Sequence, residues 1–167
     1  MTSEQEKGDR EVAVFRLFLE KSGMLVDPAS IEKRLPPEPD IFCVHTQRGG
    51  LAFELVEFCD PEVAQLISKS RTEETNAFWT TDPSPCILNK KLGRTYETAY
   101  PIELLCYVDD RLVTPDDVIL STLRPILDSC QGPFQAIWFL GNSGVHIIGT
   151  RANLSLKVAP FGRWTPQ

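Results

Sequence analysis

Pro37-Glu-Pro-Asp40-Ile-Phe-Cys-Val-His-Thr46, then Gln47-Arg-Gly-Gly50, then Leu51-Ala-Phe-Glu54-Leu-Val-Glu-Phe58: the reading of this stretch decides the fold. Two runs rich in β-branched and aromatic residues flank four residues that end in Gly-Gly. That pattern predicts strands over 40–46 and 51–58 joined as a hairpin. Successive side chains of a strand point to opposite faces, so Glu54 shares a face with Val56, and Leu55 with Glu57. Asp40 opens the first strand and Glu54 lies inside its partner, so the two carboxylates can converge. Two convergent carboxylates are the least that a hard cation such as Mg²⁺ asks of a protein, because it takes oxygen ligands and keeps several waters. Glu54 sits among apolar residues, where a carboxylate needs a partner. The plainer reading of Asp40 is an acid that ends a proline-rich loop and caps a turn.

Towards the N-terminus, Val14, Phe15, Phe18 and Leu19 fall at helical spacing and predict a helix over 10–22 that stops at Gly23. Glu11 lies along its apolar stripe, and residues 1–8 read as a flexible start. Residues 24–39 carry four prolines and read as a loop with one helical turn around Ile31 and Leu35. Past the hairpin, Asp60-Pro61 supplies an N-cap and a first-turn proline for a second helix. Residues 80–86 read as a loop. Residues 87–98, with Lys90, Lys91 and Arg94, are irregular or helical.

Pro101 to Val108 reads as a central strand. Thr114-Pro115-Asp116-Asp117 opens a helix that buries Ile119, Leu120, Leu123 and Leu127, with Pro125 expected to break or kink it. Phe134–Leu140 and Val145–Ile148 read as a second hairpin around Gly141–Gly144, followed by a partly irregular tail from 150. The element order predicts an α/β fold, a central mixed β-sheet flanked by helices, in a single domain over 1–167.

Composition narrows the function classes. The 42% apolar and 24% charged content is that of a globular domain. No apolar run approaches the ~20 residues that cross a bilayer, and the polar N-terminus lacks a signal core, so a cytoplasmic protein without membrane association is expected. The five cysteines are scattered without a Cys-x-x-Cys pair and read as reduced, buried thiols. A net charge of −6 argues against a general nucleic-acid binder. Residues 131–167, however, hold three bases and no acid, which leaves room for a local basic surface, and a metal-dependent enzyme tolerates an acidic total. The C-terminal hairpin and tail are also candidates for a homo-oligomer interface.

The element order, with Pro39-Asp40 and, fourteen positions later, Glu54-Leu55-Val56, resembles the PD-(D/E)XK nuclease superfamily over roughly residues 10–110. The chain is similar in general look to small bacterial and mobile-element proteins of that fold. The resemblance implies a restriction-endonuclease-like core with an additional C-terminal hairpin, a Mg²⁺ cofactor, and phosphodiester hydrolysis on nucleic acid. It makes Asp40 and Glu54 metal ligands together with the Leu55 carbonyl, and Glu11 the assisting helix acid. The departure is Val56, which stands where the motif has its lysine. That lysine orients the attacking water and stabilises developing charge, which valine cannot do. Lys69 is the first candidate replacement, with Lys90 and Lys91 after it.

Without a replacement the same fold becomes an inactive protein- or ligand-binding module. A zinc or Cys–His site from Cys43, His45 and Cys59 lacks the usual ligand spacing. Trp79 and Trp164 are of a type that stacks on bases or fills an interface. Trp138, inside an apolar strand, reads as core.

Overall fold

The computed structural model describes residues 3–58, 84–108, 114–129 and 132–151. The helix expected from Asp60-Pro61 lies outside the described residues, as do Lys69, Cys59, Cys130, Trp79, Trp164 and the tail from 152.

Helix α1 spans Ser3–Ser22, so it starts well before the apolar periodicity does. Its first turns are polar, with Glu4 and Glu6 favoured at the positive end of the helix dipole. A 3-10 turn follows at Pro28–Ser30, capped by the Asp27 side chain accepting from the Ala29 N–H. The expected helical turn at Ile31 and Leu35 is instead a two-residue strand, β1, at Glu32–Lys33. Strands β2 (Ile41–His45) and β3 (Gly49–Phe58) form the hairpin, with Gly49 in the left-handed region at φ 76°. Helix α2 is Ser84–Leu92, so it starts inside the expected loop and makes the first part of the 87–98 stretch helical and the rest irregular. Strand β4 is Ile102–Val108, helix α3 Asp116–Ser129, β5 Ala136–Gly141 and β6 Gly144–Thr150. Pro125 does not break α3, which runs on to Ser129.

The six strands form one sheet in chain order, β1-β2-β3-β4-β5-β6. Pairs β3–β4 and β4–β5 are parallel and the other three antiparallel, so the sheet is mixed. Parallel neighbours require a crossover, and α3 lies in the one between β4 and β5. Strand β4 is buried from Ile102 to Tyr107, as expected of a strand covered on both faces.

Helix α1 packs Phe15 and Phe18 on one face, against Ile41, Cys43, Leu51, Phe53, Leu55, Leu105 and Leu140. Helices α2 and α3 cover the other, placing Leu88, Leu92, Ile119, Leu123 and Leu127 over Val56, Phe58, Leu104, Cys106 and Phe139. Alternation along β3 divides its residues between these two cores: Leu51, Phe53 and Leu55 meet α1, while Val56 and Phe58 meet α2 and α3.

Candidate metal centre

The hairpin register puts Ile41 opposite Phe53. One residue further along each strand, Asp40 faces Glu54, so the two acids of the sequence motif become cross-strand neighbours. The Asp40 carboxylate replaces the strand partner that β3 loses where β2 begins: its Oδ2 accepts the Leu55 N–H at 2.9 Å. In an antiparallel ladder the N–H and C=O of one residue point to the same side, so the Leu55 carbonyl projects towards the same edge.

Glu54 is 3% exposed. Its Oε1 meets Lys91 Nζ from α2 at 2.5 Å and Arg94 Nη1 at 3.7 Å. Burial pushes its pKa up, the negative charge of Asp40 pushes it further, and the Lys91 and Arg94 cations oppose both. The two carboxylates therefore repel one another. Burial and the nearby Glu54 charge likewise raise the Tyr96 phenol above its ordinary range.

The third acid comes from the opposite layer. Glu11, buried on α1, and Asp40 meet at one ammonium: Lys33 Nζ is 2.7 Å from Glu11 Oε2 and 2.9 Å from Asp40 Oδ1. Burial disfavours the charged lysine, but its bonds to the two carboxylates outweigh that and hold its pKa above the ordinary lysine value. Lys7 adds a longer contact to Glu11 at 3.6 Å. Glu57 points to the α1 side as the alternation requires, where Arg10 Nη2 meets it at 3.1 Å. A cleft of about 560 Å³ opens beside Glu11 and Lys91, lined by Lys7, Arg10, Leu55 and Glu57 among others but not by Asp40, Glu54 or Lys33.

No protein-family model, curated protein or solved structure matches this chain. Its chemistry is therefore read from the arrangement itself. Among the described residues no three carboxylate, imidazole or thiolate side chains converge on one point. Asp40 and Glu11 meet at Lys33, and Glu54 meets Lys91. The donors are nevertheless hard oxygens, two carboxylates that repel each other and a carbonyl on the same edge, and this set suits Mg²⁺.

Val56, at the motif-lysine position, is buried under Leu88 and Leu92 of α2. The same helix carries Lys91 to Glu54, so a cation reaches the acid from above rather than from along the strand. Lys69 lies outside the described residues. Lys33 had no sequence signal. It lies seven residues before Asp40 in a proline-rich stretch, and only the β1–β2 pairing Lys33↔Ile41 brings it alongside.

A second buried acid also escaped the sequence reading. Glu103 on β4 has no exposed surface, and it takes Arg48 Nη2 at 2.5 Å and Trp138 Nε1–H at 2.7 Å. Trp138 itself packs edge-on against Phe18 with ring centroids 5.2 Å apart. Cys43 is fully buried, and burial pushes its thiol up to about 12, so it is unsuited to act as a nucleophile. His45 Nδ1 accepts the Gln47 and Arg48 N–H groups at 3.1 and 3.3 Å, a turn-closing role. Among the described residues no helix is long and apolar enough to cross a membrane.

Proposed function

We propose that this chain is a Mg²⁺-dependent phosphodiesterase of the restriction-endonuclease-like type acting on nucleic acid, with the β5–β6 hairpin as an addition to that core. One observation carries the reading. One step beyond the last β2–β3 pair, Ile41↔Phe53, Asp40 comes opposite Glu54; Asp40 is fixed by the Leu55 amide, and a lysine, Lys91, stands on Glu54. Asp40, Glu54 and the Leu55 carbonyl would hold the cation, with Glu11 beside them. Bound there, Mg²⁺ supplies Lewis acidity and a water of lowered pKa.

The chain's own groups do the rest. Asp40 keeps the β3 edge open by satisfying the Leu55 N–H with its side chain instead of a strand. Lys91 offers an ammonium next to Glu54, the position from which a cation orients a water and offsets charge on a phosphoryl oxygen. Lys7, Arg10 and Lys91 bring cations to a cleft that Glu6, Glu11 and Glu57 also line, and phosphate oxygens would have to compete with those acids for them.

A second reading rests on the pairing of the acids. Glu54 already has Lys91 and Arg94, and Glu11 and Asp40 share Lys33. An ion-pair network of this kind also serves a binding module that has no chemistry.

Calorimetry with Mg²⁺ and Mn²⁺ on wild type, Asp40→Ala and Glu54→Ala separates the two, followed by cleavage assays on single- and double-stranded DNA and RNA. The nuclease reading expects one divalent site that either substitution abolishes, and cleavage that Lys91→Met reduces by about 10²-fold or more. Binding that survives both alanine substitutions, or metal-loaded protein that cleaves none of the four substrates, would refute it in favour of the binding module.

A further inference from the structure

We infer that Lys33 is an exchangeable counter-ion of the candidate metal centre: its ammonium holds the position between Glu11 and Asp40 that a divalent cation needs, so the cation binds by displacing it. The inference rests on the metal-dependent reading above and adds a role for a residue outside its motif.

Few carboxylate oxygens remain for a cation at this site. Asp40 has two, and the Leu55 N–H takes Oδ2 at 2.9 Å. The other, Oδ1, is the one that Lys33 Nζ holds at 2.9 Å, and the same nitrogen is 2.7 Å from Glu11 Oε2. A Mg²⁺ ion bonds oxygens at about 2.0–2.1 Å. An ion entering between Glu11 and Asp40 at that distance meets the ammonium on the same oxygens, and two cations so close repel strongly. One of them has to leave.

Of the two lysines on Asp40 and Glu54, Lys33 has the looser attachment. Lys33 belongs to an edge strand that pairs with β2 at only two positions. Its backbone is nonetheless fastened next door, because the Arg34 N–H donates to the Asp40 carbonyl at 2.8 Å. The anchor and the ligand are thus tied together while the side chain, on four rotatable methylenes, can swing. Its stem runs past Gly8 on α1, one turn before Glu11, where a Cβ would stand 3.7 Å from Lys33 Cγ. Lys91, by contrast, meets Glu54 alone from a helix packed on the core.

Glu11 and Asp40 reach one ammonium from different elements of the fold, and two negative charges so close repel one another. Lys33 offsets that repulsion. A divalent ion offsets it more fully, and the released ammonium then stands beside the centre.

The sign of one affinity change tests this. Mg²⁺ and Mn²⁺ are titrated calorimetrically into the full chain as wild type, Lys33→Met and Lys33→Arg. Exchange predicts that Lys33→Met binds both ions about tenfold more tightly, since the competing ion pairs are worth several-fold together, and that Lys33→Arg does not. It also predicts that thermal stability lost in Lys33→Met returns on adding Mg²⁺ by more than wild type gains. Equal or weaker binding by a cooperatively melting Lys33→Met protein overturns the counter-ion role and leaves the metal centre standing. Absence of binding in all three proteins overturns both. Should Lys33→Met and Lys33→Gln each fail to fold even with saturating Mg²⁺, exchange is also refuted, because the ion would replace the missing charge.

Discussion

Replacing Lys91 with methionine isolates the ion pair at the centre of the site, because methionine keeps most of the stem's packing and removes only the charge. Breaking a fully buried pair by deleting one partner costs about 3–5 kcal/mol. Two features of this site reduce that figure. The Lys91 side chain is 20% exposed, and Arg94 Nη1 remains 3.7 Å from the same Glu54 oxygen. The expected loss is therefore about 2 kcal/mol near pH 8, read by urea denaturation.

The loss should depend on pH in a definite direction. The folded-state pKa of Glu54 is already raised by burial and by Asp40, and Lys91 opposes that rise. Removing Lys91 lifts it further. A carboxyl whose folded pKa lies above its unfolded value costs stability where it is ionised, and the cost fades as pH falls through the folded pKa. The gap between Lys91→Met and wild type should thus shrink on acidification. In Glu54→Gln, which has no charge to strand, Lys91→Met should cost little at any pH, giving a coupling energy of about 1.5 kcal/mol in the double-mutant cycle. A pH-independent loss, or additive effects of the two substitutions, would refute the claim that Lys91 compensates Glu54.

Two further outcomes follow from the same style of accounting. Asp116 at the start of α3 fastens the β5–β6 turn, since its Oδ2 accepts both the N–H and the Oγ–H of Ser143 at 2.6 Å, and Gly141 leaves room for the carboxylate. Burial alone would raise its pKa, but the Ser143 bonds outweigh burial and hold it below the usual aspartate value. Its stabilisation is present above the unfolded pKa of about 3.9 and lost as pH falls through the folded one, so Asp116→Asn should cost about 1 kcal/mol at neutral pH with the gap closing in acid; a gap that widens in acid would contradict this. Cys43 and Cys106 are both fully buried, and burial drives both thiols upward, Cys43 to about 12. Alkylation at mildly alkaline pH followed by peptide mapping should leave both unlabelled in the native protein and labelled in urea, and native labelling of Cys43 at the rate of a free peptide thiol would show that its burial is wrong.

Much of the fold was legible in single runs of residues. The hairpin followed from two β-rich runs around a Gly-Gly pair, although Gly49 and Gly50 open β3 rather than form the turn; the buried strand β4 followed from a run that is apolar except for Glu103, and α3 from its four spaced aliphatic residues and acidic first turn. Those signals are local, because strand alternation and helical periodicity are set by backbone geometry within a few residues. The errors were also local in origin. The polar first turns of α1 carried no periodicity, β1 is too short to show a pattern, and Pro125 was tolerated near a helix end.

The sequence by itself determined that Asp40 and Glu54 lie on paired strands of one hairpin, but not their register: with the turn expected at 47–50 Asp40 would stand opposite Glu57, and only the structure, which pairs His45 with Gly49 and so takes Gly49-Gly50 into β3, sets it against Glu54. The sequence determined too that Glu57 would look to the opposite side. Only the tertiary structure decided what neutralises these acids. Lys33 meets Glu11 through an edge strand and a helix on the opposite layer, Lys91 meets Glu54 across 37 residues, and Arg48 and Trp138 meet Glu103 across 55 and 35. Long, flexible basic side chains carry almost no local signature, and their partners are chosen by how helices and strands distant in the chain pack together. The motif reading could therefore name Lys91 only as one of several candidate lysines and did not reach Lys33 at all, because the packing of distant elements sets both partners.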